Sequence, residues 1–408
     1  MATGTTDRLG RGATAIVDIT ELAKGGAGLG HLPDGRVVFV AGSFPGDRVS
    51  VTLQRSKKRF AEATVNTLLS PSPNRVQPDC SLAGRCGGCQ WMGLDYPTQL
   101  KAKTLIVRET LNRIGDVDRL LVEPTLPSAK ELGYRARARL HWQDGRLGFY
   151  AFKGRGIVDV PTCPVLSPPL ETTLKAVRAE LQDRSSKSPM QLELKHNPDG
   201  TINGALSGVG ANDIEIESGK IRAYPGPLAP RPRTHLPFAQ ANPLINAEMV
   251  KLVVDWLNPM VGKQFVDFYC GSGNFTYPLA NAGGQVLGVE EREDAVSQAR
   301  VGAAGRSDLT FVCSDAALLG SDLWAEYPRL EGVVLNPPRG GALALTPLLQ
   351  SLRPHRIAYV SCDPATLARD LAALKATFKV ERVQPFDMMP QTPHVEAVAL
   401  LSLADTRR

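Results

Sequence analysis

Apolar residues alternate with polar ones in short runs along the first 70 residues of the chain. Four such runs, rich in β-branched residues and separated by glycine- and proline-rich turns, cover residues 15–19, 36–40, 48–53 and 62–68. A period of two between such turns is typical of β-strands. About five short strands suit a small barrel. We therefore predict an OB-like β-barrel over residues 1–70.

The middle of the chain, residues 71–235, follows a Ser-Pro-Ser-Pro segment at 70–73 and holds four of the seven cysteines. A helix is predicted over residues 96–114, with an apolar stripe supplied by Leu100, Leu105, Val107, Leu111 and Ile114. The remainder alternates strand-like and helix-like runs, which indicates an α+β domain. A proline-rich stretch at 224–237 marks its end.

From residue 236 to residue 408, apolar strands alternate with helices. The predicted strands include 264–269, 285–289, 309–312, 332–335 and 356–359, and the helices include 277–281 and 294–303. Buried apolar strands separated by helices indicate a parallel, doubly wound sheet. The fold class is therefore α/β, with a Rossmann-like C-terminal domain.

Composition adds few constraints to this organisation. With 408 residues, 43% of them hydrophobic and 22% charged, the chain is an ordinary globular protein of two or three domains. Since no apolar stretch is long enough to span a membrane and residues 1–20 lack a secretory pattern, we expect a cytoplasmic location and no membrane partner. A formal charge of +6 mildly favours a polyanionic partner.

Two basic groups are candidate RNA contacts. In the barrel, Arg55, Lys57, Lys58, Arg59 and Phe60 lie where two strands would join, and we favour an RNA-contacting face over a solvated turn. In the middle region, Arg135, Arg137 and Arg139 recur with period two, so a strand would present all three on one face. A phosphate-facing strand and a salt-bridged surface strand fit that pattern equally well.

The loop after the first C-terminal strand is a candidate cofactor site. Asp267 ends the strand, and Gly271 and Gly273 lie in the turn that opens the next helix, where the backbone can approach a ligand closely. Glu290 closes the next strand, where α/β folds place a carboxylate on ribose hydroxyls. Thr276 stands where a pyrophosphate site needs a third glycine, so phosphate-free S-adenosylmethionine fits better than a dinucleotide.

The segment Asn336-Pro337-Pro338-Arg339 follows a predicted strand at the ligand-binding edge of the sheet. Asn-Pro-Pro before an aromatic residue is typical of amino-methyltransferases, in which the ring stacks on the base. This chain has Arg339 at that position, and arginine cannot stack on the base equally well. This substitution disfavours N-methylation of adenine or cytosine.

Cys362 lies one strand later, between a strand end and a predicted helix start. The helix dipole and free N–H groups there are expected to lower the thiol pKa towards neutrality, although a packing role is the alternative for a single cysteine. Glu396 leads an apolar C-terminal strand, and His394 precedes it by two residues, so both would face one side. Burial would raise the pKa of Glu396 to suit proton abstraction, whereas a solvated edge glutamate is the alternative.

A cysteine and a base are the two groups that C5 methylation of uracil requires. Uracil C5 attacks a sulfonium methyl poorly until a thiolate adds to C6 and makes C5 the carbon end of an enolate. A base then removes the C5 proton and the thiol is eliminated. The target base must first be flipped out of its stack.

These blocks together resemble the uracil-C5 RNA methyltransferase family, in particular the ribosomal-RNA branch with an N-terminal TRAM domain and an iron–sulfur cluster. The likeness covers nearly the whole chain and is carried by residues 238–242, 267–275, 360–370 and 391–401. It implies S-adenosylmethionine-dependent methylation of uridine C5 in structured RNA, with ribosomal RNA favoured over transfer RNA. We expect the enzyme to be a monomer.

The resemblance also implies roles for individual residues. Cys362 would be the nucleophile and Glu396 the base, and Asn336, Arg339 and His394 would contact the substrate. Asn336 stands where the family usually has aspartate, but an amide both donates and accepts, so it could still read the uracil edge. Besides Gly271 and Gly273, the cofactor contacts would be Gln240, Tyr269, Asn274, Glu290 and Asp315.

Cys80, Cys86, Cys89 and Cys163 complete the resemblance, because the family pattern is C-x5-C-x2-C followed by a distant fourth cysteine. Four thiolates can hold zinc or a 4Fe-4S cluster, and spacing alone slightly favours zinc. The resemblance favours 4Fe-4S instead. Methyl transfer needs no redox step, so such a cluster is expected to shape the middle domain or the RNA surface.

Two other functions remain open at this point. A cytosine-C5 methyltransferase would use the same thiolate addition. A non-catalytic RNA-binding protein would use the barrel and the cysteines equally well, but it would leave Cys362 and Glu396 without a role.

Overall fold

The computed structural model describes residues 8–182, 184, 188–207, 212–217, 219–223 and 240–404. The predicted boundary at 224–237 lies outside this part of the chain. So do residues 238–239, which begin the 238–242 segment that carries part of the family resemblance. The described residues contain one closed barrel and two seven-stranded sheets. None of the described helices combines the length and apolarity that crossing a membrane requires.

The N-terminal barrel is closed by five strands in the order β1-β2-β3-β5-β4, which confirms the predicted small barrel. Alternate side chains such as Val49, Val51 and Leu53 point into its core and are fully buried. Gly30 is required at a close approach, because a Cβ there would lie 2.5 Å from the carbonyl oxygen of Asp18. The strands are β1 (Thr14–Leu22), β2 (Gly28–His31), β3 (Val37–Ala41), β4 (Arg48–Ser56) and β5 (Phe60–Ser70).

The second sheet is antiparallel, in the order β12-β11-β10-β9-β6-β7-β8. Helix α2 packs on it around a core that includes Leu140, Leu192 and Leu174. Helix α1 precedes the sheet in the chain. The elements are α1 (Tyr96–Gly115), β6 (Arg137–Gln143), β7 (Arg146–Tyr150), β8 (Ile157–Asp159), α2 (Pro168–Glu180), β9 (Met190–His196), β10 (Ile202–Ser207), β11 (Asn212–Glu217) and β12 (Lys220–Ala223).

The C-terminal sheet has the order β15-β14-β13-β16-β17-β19-β18. Strands β13 to β17 are parallel, as predicted, whereas β19 runs antiparallel to both of its neighbours. Its elements are α3 (Pro243–Leu257), β13 (Gln264–Phe268), α4 (Thr276–Asn281), β14 (Gln285–Glu290), α5 (Glu293–Gly302), β15 (Leu309–Cys313), α6 (Ser321–Ala325), β16 (Leu330–Leu335), α7 (Thr346–Leu352), β17 (Arg356–Ser361), α8 (Pro364–Leu374), β18 (Phe378–Phe386) and β19 (Glu396–Leu403).

Helix α1 packs against α8 and β18 of this C-terminal unit. Val107 and Leu111 belong to the same apolar core as the parallel strands. The predicted stripe is only partly correct, since Ile114 is 42% exposed while the polar Gln99 and Lys103 are fully buried. The buried face of α1 therefore has a polar segment near its start, where the helix contacts the loop between β18 and β19.

Candidate active site

The sheet topology brings Cys362 and Glu396 to the same edge. Cys362 follows the last residue of β17, and Glu396 is the first residue of β19. Because these strands are antiparallel neighbours, with Ser361 paired to Ala397, the end of one strand lies beside the beginning of the other. The charge of Glu396 is close enough to act on the Cys362 thiol.

The pKa of the Cys362 thiol is shifted in the direction opposite to the one expected from the sequence. Burial raises the pKa of Cys362 and the charge of Glu396 raises it further, while Arg339 opposes both. The helix start does not offset this, because the N–H groups of Ala365 and Thr366 donate to the Asp363 carboxylate, at 2.8 and 3.2 Å, rather than to the sulfur. The predicted lowering by free N–H groups is therefore wrong.

Glu396 lies deep in the protein while its side chain keeps partial contact with solvent. Burial raises the pKa of this carboxyl to about 8, and the positive charge of Arg339 counteracts the increase. A carboxyl with this pKa can take up or release a proton near neutral pH, as a general base requires. The expected rise in pKa is thus found.

A pocket opens in front of Cys362 and includes two of the predicted substrate residues. Arg339 and His394 are both exposed and line this pocket together with the thiol. Asn336 lies half-buried after β16, where its backbone N–H donates to Phe268 on the neighbouring strand. Asn336 is therefore at the same edge of the sheet, between the cofactor loop and Arg339.

The N-terminal barrel supplies one wall of the pocket, which the sequence did not reveal. Lys24 and Gly25, in the turn between β1 and β2, line it beside Cys362. Lys24 donates to both carboxylate oxygens of Asp363, at 2.6 and 2.8 Å. The long sequence separation of these residues left no signal for this contact, since only the fold brings the barrel to the nucleophile.

The predicted cofactor loop lies at the carboxyl end of β13. Tyr269, Gly271 and Gly273 all have positive φ angles, of 62°, 56° and 97°, so the chain turns sharply here. The N–H of Gly271 donates to the Glu290 carboxylate at 3.0 Å, which ties the loop to the end of β14. Burial raises the pKa of Tyr269 to about 12.

Asp267 supports this loop from beneath. It is fully buried, and its carboxylate accepts a 2.6 Å hydrogen bond from the Thr276 hydroxyl at the start of α4. Burial raises the pKa of Asp267 to about 7. Asp267 thus holds the strand end to the helix start, and the sequence analysis identified it only as part of the motif.

Of the remaining predicted cofactor residues, Asn274 lies in this loop and Asp315 lies close to it. Asn274 exchanges two side-chain hydrogen bonds with Asn246 of α3, at 2.9 and 3.1 Å, which fixes its orientation. Asp315 is exposed after β15, near enough for its charge to act on Tyr269. Gln240 begins the segment that leads to the buried N-cap Asn242 of α3.

Cys80, Cys86, Cys89 and Cys163 line a single cavity beneath the antiparallel sheet, with Arg135 at its rim. Burial and neighbouring thiols raise the pKa of Cys89 to about 12, and burial raises that of Cys163 to about 11. Over the part of the chain that the structure describes, no group of three His, Cys, Asp or Glu side chains is arranged to hold a metal ion. The fold nevertheless brings the four predicted cysteines together.

A basic and aromatic groove leads from this cavity to Arg339 and His394. Arg135, Arg137 and Arg139 all line it, as the period of two predicted. The salt-bridged interpretation holds for Arg139, which is paired with Glu193 at 2.7 Å and also lines the groove, whereas a phosphate-facing role stays a prediction. The groove also contains His141, Phe149, Tyr150, Phe152 and Lys153. The other basic group, Lys57 to Arg59, forms an exposed turn between β4 and β5.

Comparison with known proteins gives consistent matches. Residues 233–312 and 317–404 match the tRNA (Uracil-5-)-methyltransferase family, and residues 8–65 match the TRAM domain. The chain is 32% identical to a 23S rRNA (uracil(1939)-C(5))-methyltransferase RlmD of Shewanella sediminis, which covers 96% of each chain. It is 33% identical to an uncharacterised RNA methyltransferase of Thermosynechococcus vestitus, over 96% of this chain and 98% of the relative.

Among solved structures, the chain resembles the Pyrococcus abyssi tRNA (uracil-54, C5)-methyltransferase in complex with S-adenosyl-L-homocysteine. The TM-score is 0.69 at 25% identity, and the match covers 94% of this chain and 99% of the other. The similarity thus extends over the barrel, the middle region and the C-terminal sheet. With a matching catalytic-domain model, a matching TRAM model and full-length relatives, this chain belongs to the S-adenosylmethionine-dependent RNA (uracil-5-)-methyltransferase family.

Proposed function

We propose that this enzyme methylates C5 of a uridine in 23S ribosomal RNA through a covalent adduct between Cys362 and C6 of the base. The observation that carries the proposal is the antiparallel pairing of β17 and β19, which brings a thiol close to a carboxyl of raised pKa at the edge of the sheet where the cofactor loop also lies. A packing cysteine and a solvated glutamate would not need this proximity.

Cys362 attacks first. Its proton passes to solvent through the open pocket, and the thiolate sulfur bonds to C6 while the C5–C6 electron pair becomes an enolate. The charge of Arg339, which lowers the thiol pKa, stabilises the thiolate. S-adenosylmethionine supplies an electrophilic methyl group, which C5 takes while the bond from the methyl to sulfur breaks.

Glu396 completes the reaction. It removes the proton from C5, the electron pair restores the C5–C6 double bond, and the thiolate leaves C6. Only the ionised carboxylate can take this proton, and with a pKa of about 8 roughly a tenth of it is ionised at pH 7, a fraction that rises with pH. The protonated Glu396 then returns its proton to solvent, to which it keeps partial access.

The cofactor would be held at the carboxyl ends of β13 to β15. Glu290 would accept hydrogen bonds from ribose hydroxyls, since a carboxylate that already accepts from Gly271 retains further lone pairs. The glycine turn suits the fit, because Gly271 and Gly273 have no side chains to obstruct an approaching ligand. Gly271, Gly273, Gln240, Tyr269, Asn274 and Asp315 complete the proposed set.

Asn336, Arg339 and His394 would contact the extruded uridine. Asn336 would read the uracil edge with its amide, while Arg339 and His394 line the pocket mouth. The groove that runs from there combines guanidinium groups with aromatic rings, which suits the phosphates and unstacked bases of single-stranded RNA. We take a flipped base in a locally unpaired segment as the substrate.

Ribosomal RNA is proposed because relatives named 23S rRNA (uracil(1939)-C(5))-methyltransferase RlmD match 96% of the chain. The structural relative from Pyrococcus abyssi is a tRNA (uracil-54, C5)-methyltransferase, so transfer RNA is the second candidate. Mapping 5-methyluridine in RNA from cells with and without this gene separates the two. Loss of the mark from transfer RNA alone would refute the ribosomal assignment.

The four cysteines are proposed to bind a 4Fe-4S cluster. Such a cluster would need four thiolates around one space, and the fact that all four cysteines line the same cavity supports the proposal. When bound, it would cross-link the 80–89 segment to Cys163 and contribute no redox step. An anaerobic preparation should be brown with iron and sulfide present; a colourless zinc protein would overturn the assignment.

The covalent mechanism is tested with RNA that carries 5-fluorouridine at the target. Fluorine cannot leave as a proton does, so the methylated adduct should persist under denaturing conditions. Cys362→Ala should abolish it, whereas Cys313→Ala, a half-buried cysteine at the end of β15, serves as the control. Glu396→Gln should accumulate an adduct on ordinary uridine RNA. An adduct that survives in Cys362→Ala would reassign the nucleophile.

A further inference from the structure

The loop between β18 and β19, which ends at Glu396, is fastened to helix α1 and to the segment after the cysteines. These contacts join three parts of the chain that are far apart in sequence. Gln391 lies at the centre of these contacts. Its backbone has a left-handed φ of 69°, and the residue is almost completely buried. A non-glycine residue in this conformation is strained and persists only where its surroundings hold it.

Gln99 of α1 holds Gln391 from two sides. Its side-chain oxygen accepts the backbone N–H of Gln391 at 2.9 Å, and its amide nitrogen donates to the side-chain oxygen of Gln391, also at 2.9 Å. Trp91, two residues after Cys89, donates its backbone N–H to the Gln391 carbonyl at 3.0 Å. Both backbone hydrogen-bonding groups of Gln391 and its side-chain oxygen are therefore engaged by the middle region.

Lys103, one turn further along α1, holds the beginning of the same loop. Its side chain is fully buried and forms an ion pair with the equally buried Asp387. It also donates to the carbonyl of Met389 at 3.1 Å. Tyr134 adds a 3.0 Å hydrogen bond to the carbonyl of Pro390. Four of the five residues from Asp387 to Gln391 are thus bonded directly to the middle region.

A buried ion pair is a poor source of stability, because desolvation of two charges offsets their attraction and apolar pairs of similar volume often stabilise as well. A buried ion pair does, however, fix the relative orientation of its two side chains and the distance between them. Here those constraints act on a loop whose remaining turn is also closed, since the Thr392 hydroxyl donates to Met389 and accepts the His394 N–H, at 2.7 and 3.2 Å. Hydrogen bonds therefore hold the loop from Asp387 to His394, which lies two residues before Glu396.

We propose that Gln99 and Lys103 are positioning residues for the base, so that helix α1 sets where the Glu396 carboxylate meets the C5 proton. The inference rests on the proposed role of Glu396. It assigns the middle region a part in the elimination step besides RNA binding. Neither residue touches the reacting atoms, and both act through the loop.

The test separates base positioning from folding. Gln99→Met removes both bonds to Gln391 at similar volume, and the double variant Lys103→Met with Asp387→Leu removes the ion pair without leaving a buried charge. Asn112→Leu is the control, because it removes one side-chain hydrogen bond, to Val117, at the far end of the same helix. The readouts are turnover, adduct on ordinary uridine RNA, adduct on 5-fluorouridine RNA, and thermal unfolding.

Misplacement of a reacting group by about 1 Å can cost on the order of 100-fold in rate, so we expect both variants to lose at least about tenfold in turnover. They should accumulate adduct on ordinary uridine RNA as Glu396→Gln does, while forming the 5-fluorouridine adduct at the wild-type rate. The Asn112→Leu control should turn over normally without accumulation. Slow turnover with no accumulated adduct in both variants would overturn the inference.

The same experiment keeps the two proposals apart. If Glu396→Gln itself accumulates no adduct, the proposed role of the base fails. If Glu396→Gln accumulates adduct and the α1 variants, folded by their unfolding curves, do not, only the positioning role fails. Because the double variant carries no unpaired buried charge, it remains informative if Gln99→Met does not fold.

Discussion

Replacing Glu396 by glutamine should stabilise the protein in mildly alkaline solution relative to wild type. Burial raises the pKa of this carboxyl from 4.5 to about 8. Between these values the folded state holds a proton that the unfolded state lacks, so wild-type stability falls as pH rises. Glutamine resembles the protonated carboxyl and does not titrate.

The expected loss of unfolding free energy follows from the pH range over which only the folded state holds this proton. One pH unit corresponds to about 1.36 kcal/mol, so wild type loses up to about 3 kcal/mol between about pH 5.5 and about pH 8 through this group. Partial solvent contact of Glu396 makes that an upper value. Other groups of raised pKa, such as Asp267, are present in both proteins and cancel in the comparison.

Urea unfolding followed by tryptophan fluorescence measures this difference, since Trp256 and Trp324 both report on the C-terminal domain. The free-energy advantage of Glu396→Gln over wild type should grow with pH. An advantage of the same size at both pH values would show that Glu396 is not protonated in the folded enzyme, and the account of its electrostatics would be wrong.

Three other outcomes are expected. Arg339→Met removes the cation that lowers the pKa of both Cys362 and Glu396, so the rise of kcat/KM with pH should move to higher pH; an unmoved profile contradicts this. Lys24→Met breaks an exposed ion pair, so the unfolding free energy should change by less than about 1 kcal/mol, while 5-fluorouridine adduct formation slows because the charge of Asp363 beside Cys362 is no longer balanced. Lys153→Met should weaken RNA binding and reduce the slope of log affinity against log salt by about 1 in filter binding, and an unchanged slope would place RNA outside the groove.

Local patterns predicted much of the fold correctly. The parallel strands were recognisable because each is a short apolar run flanked by turns, and β13, β14 and β16 lie within a few residues of their predicted limits. The barrel followed from period-two alternation. The relative direction of β19 could not be predicted in the same way, because direction depends on the connection and on long-range pairing.

Helix α1 shows where pattern reasoning fails. Its limits were predicted almost to the residue, yet its buried face was not, because the predicted stripe consisted of apolar residues and did not include the polar Gln99 and Lys103. Such residues are buried only where partners satisfy them, and their partners lie more than 280 residues later in the chain. The same distance concealed the contact between Lys24 and Asp363.

Cys362 was located correctly from its place between a strand and a helix, but the direction of its pKa shift was wrong. A sequence gives the helix start without showing which group occupies its N–H donors, and here Asp363 does. Whether burial or a neighbouring charge dominates likewise depends on distances between side chains. Glu396 was more predictable, because an acidic residue leading an apolar strand is buried by its own neighbours.

Gly26 allows the barrel to pack closely against the catalytic domain. A Cβ at this position would lie 3.1 Å from Pro393 and 3.3 Å from the Trp91 indole, whose N–H donates to the Gly26 carbonyl. With no side chain there, the Gly26 backbone can lie against Pro393 and Trp91. A larger residue would act as a wedge at this contact and push the barrel away from the loop that leads to Glu396.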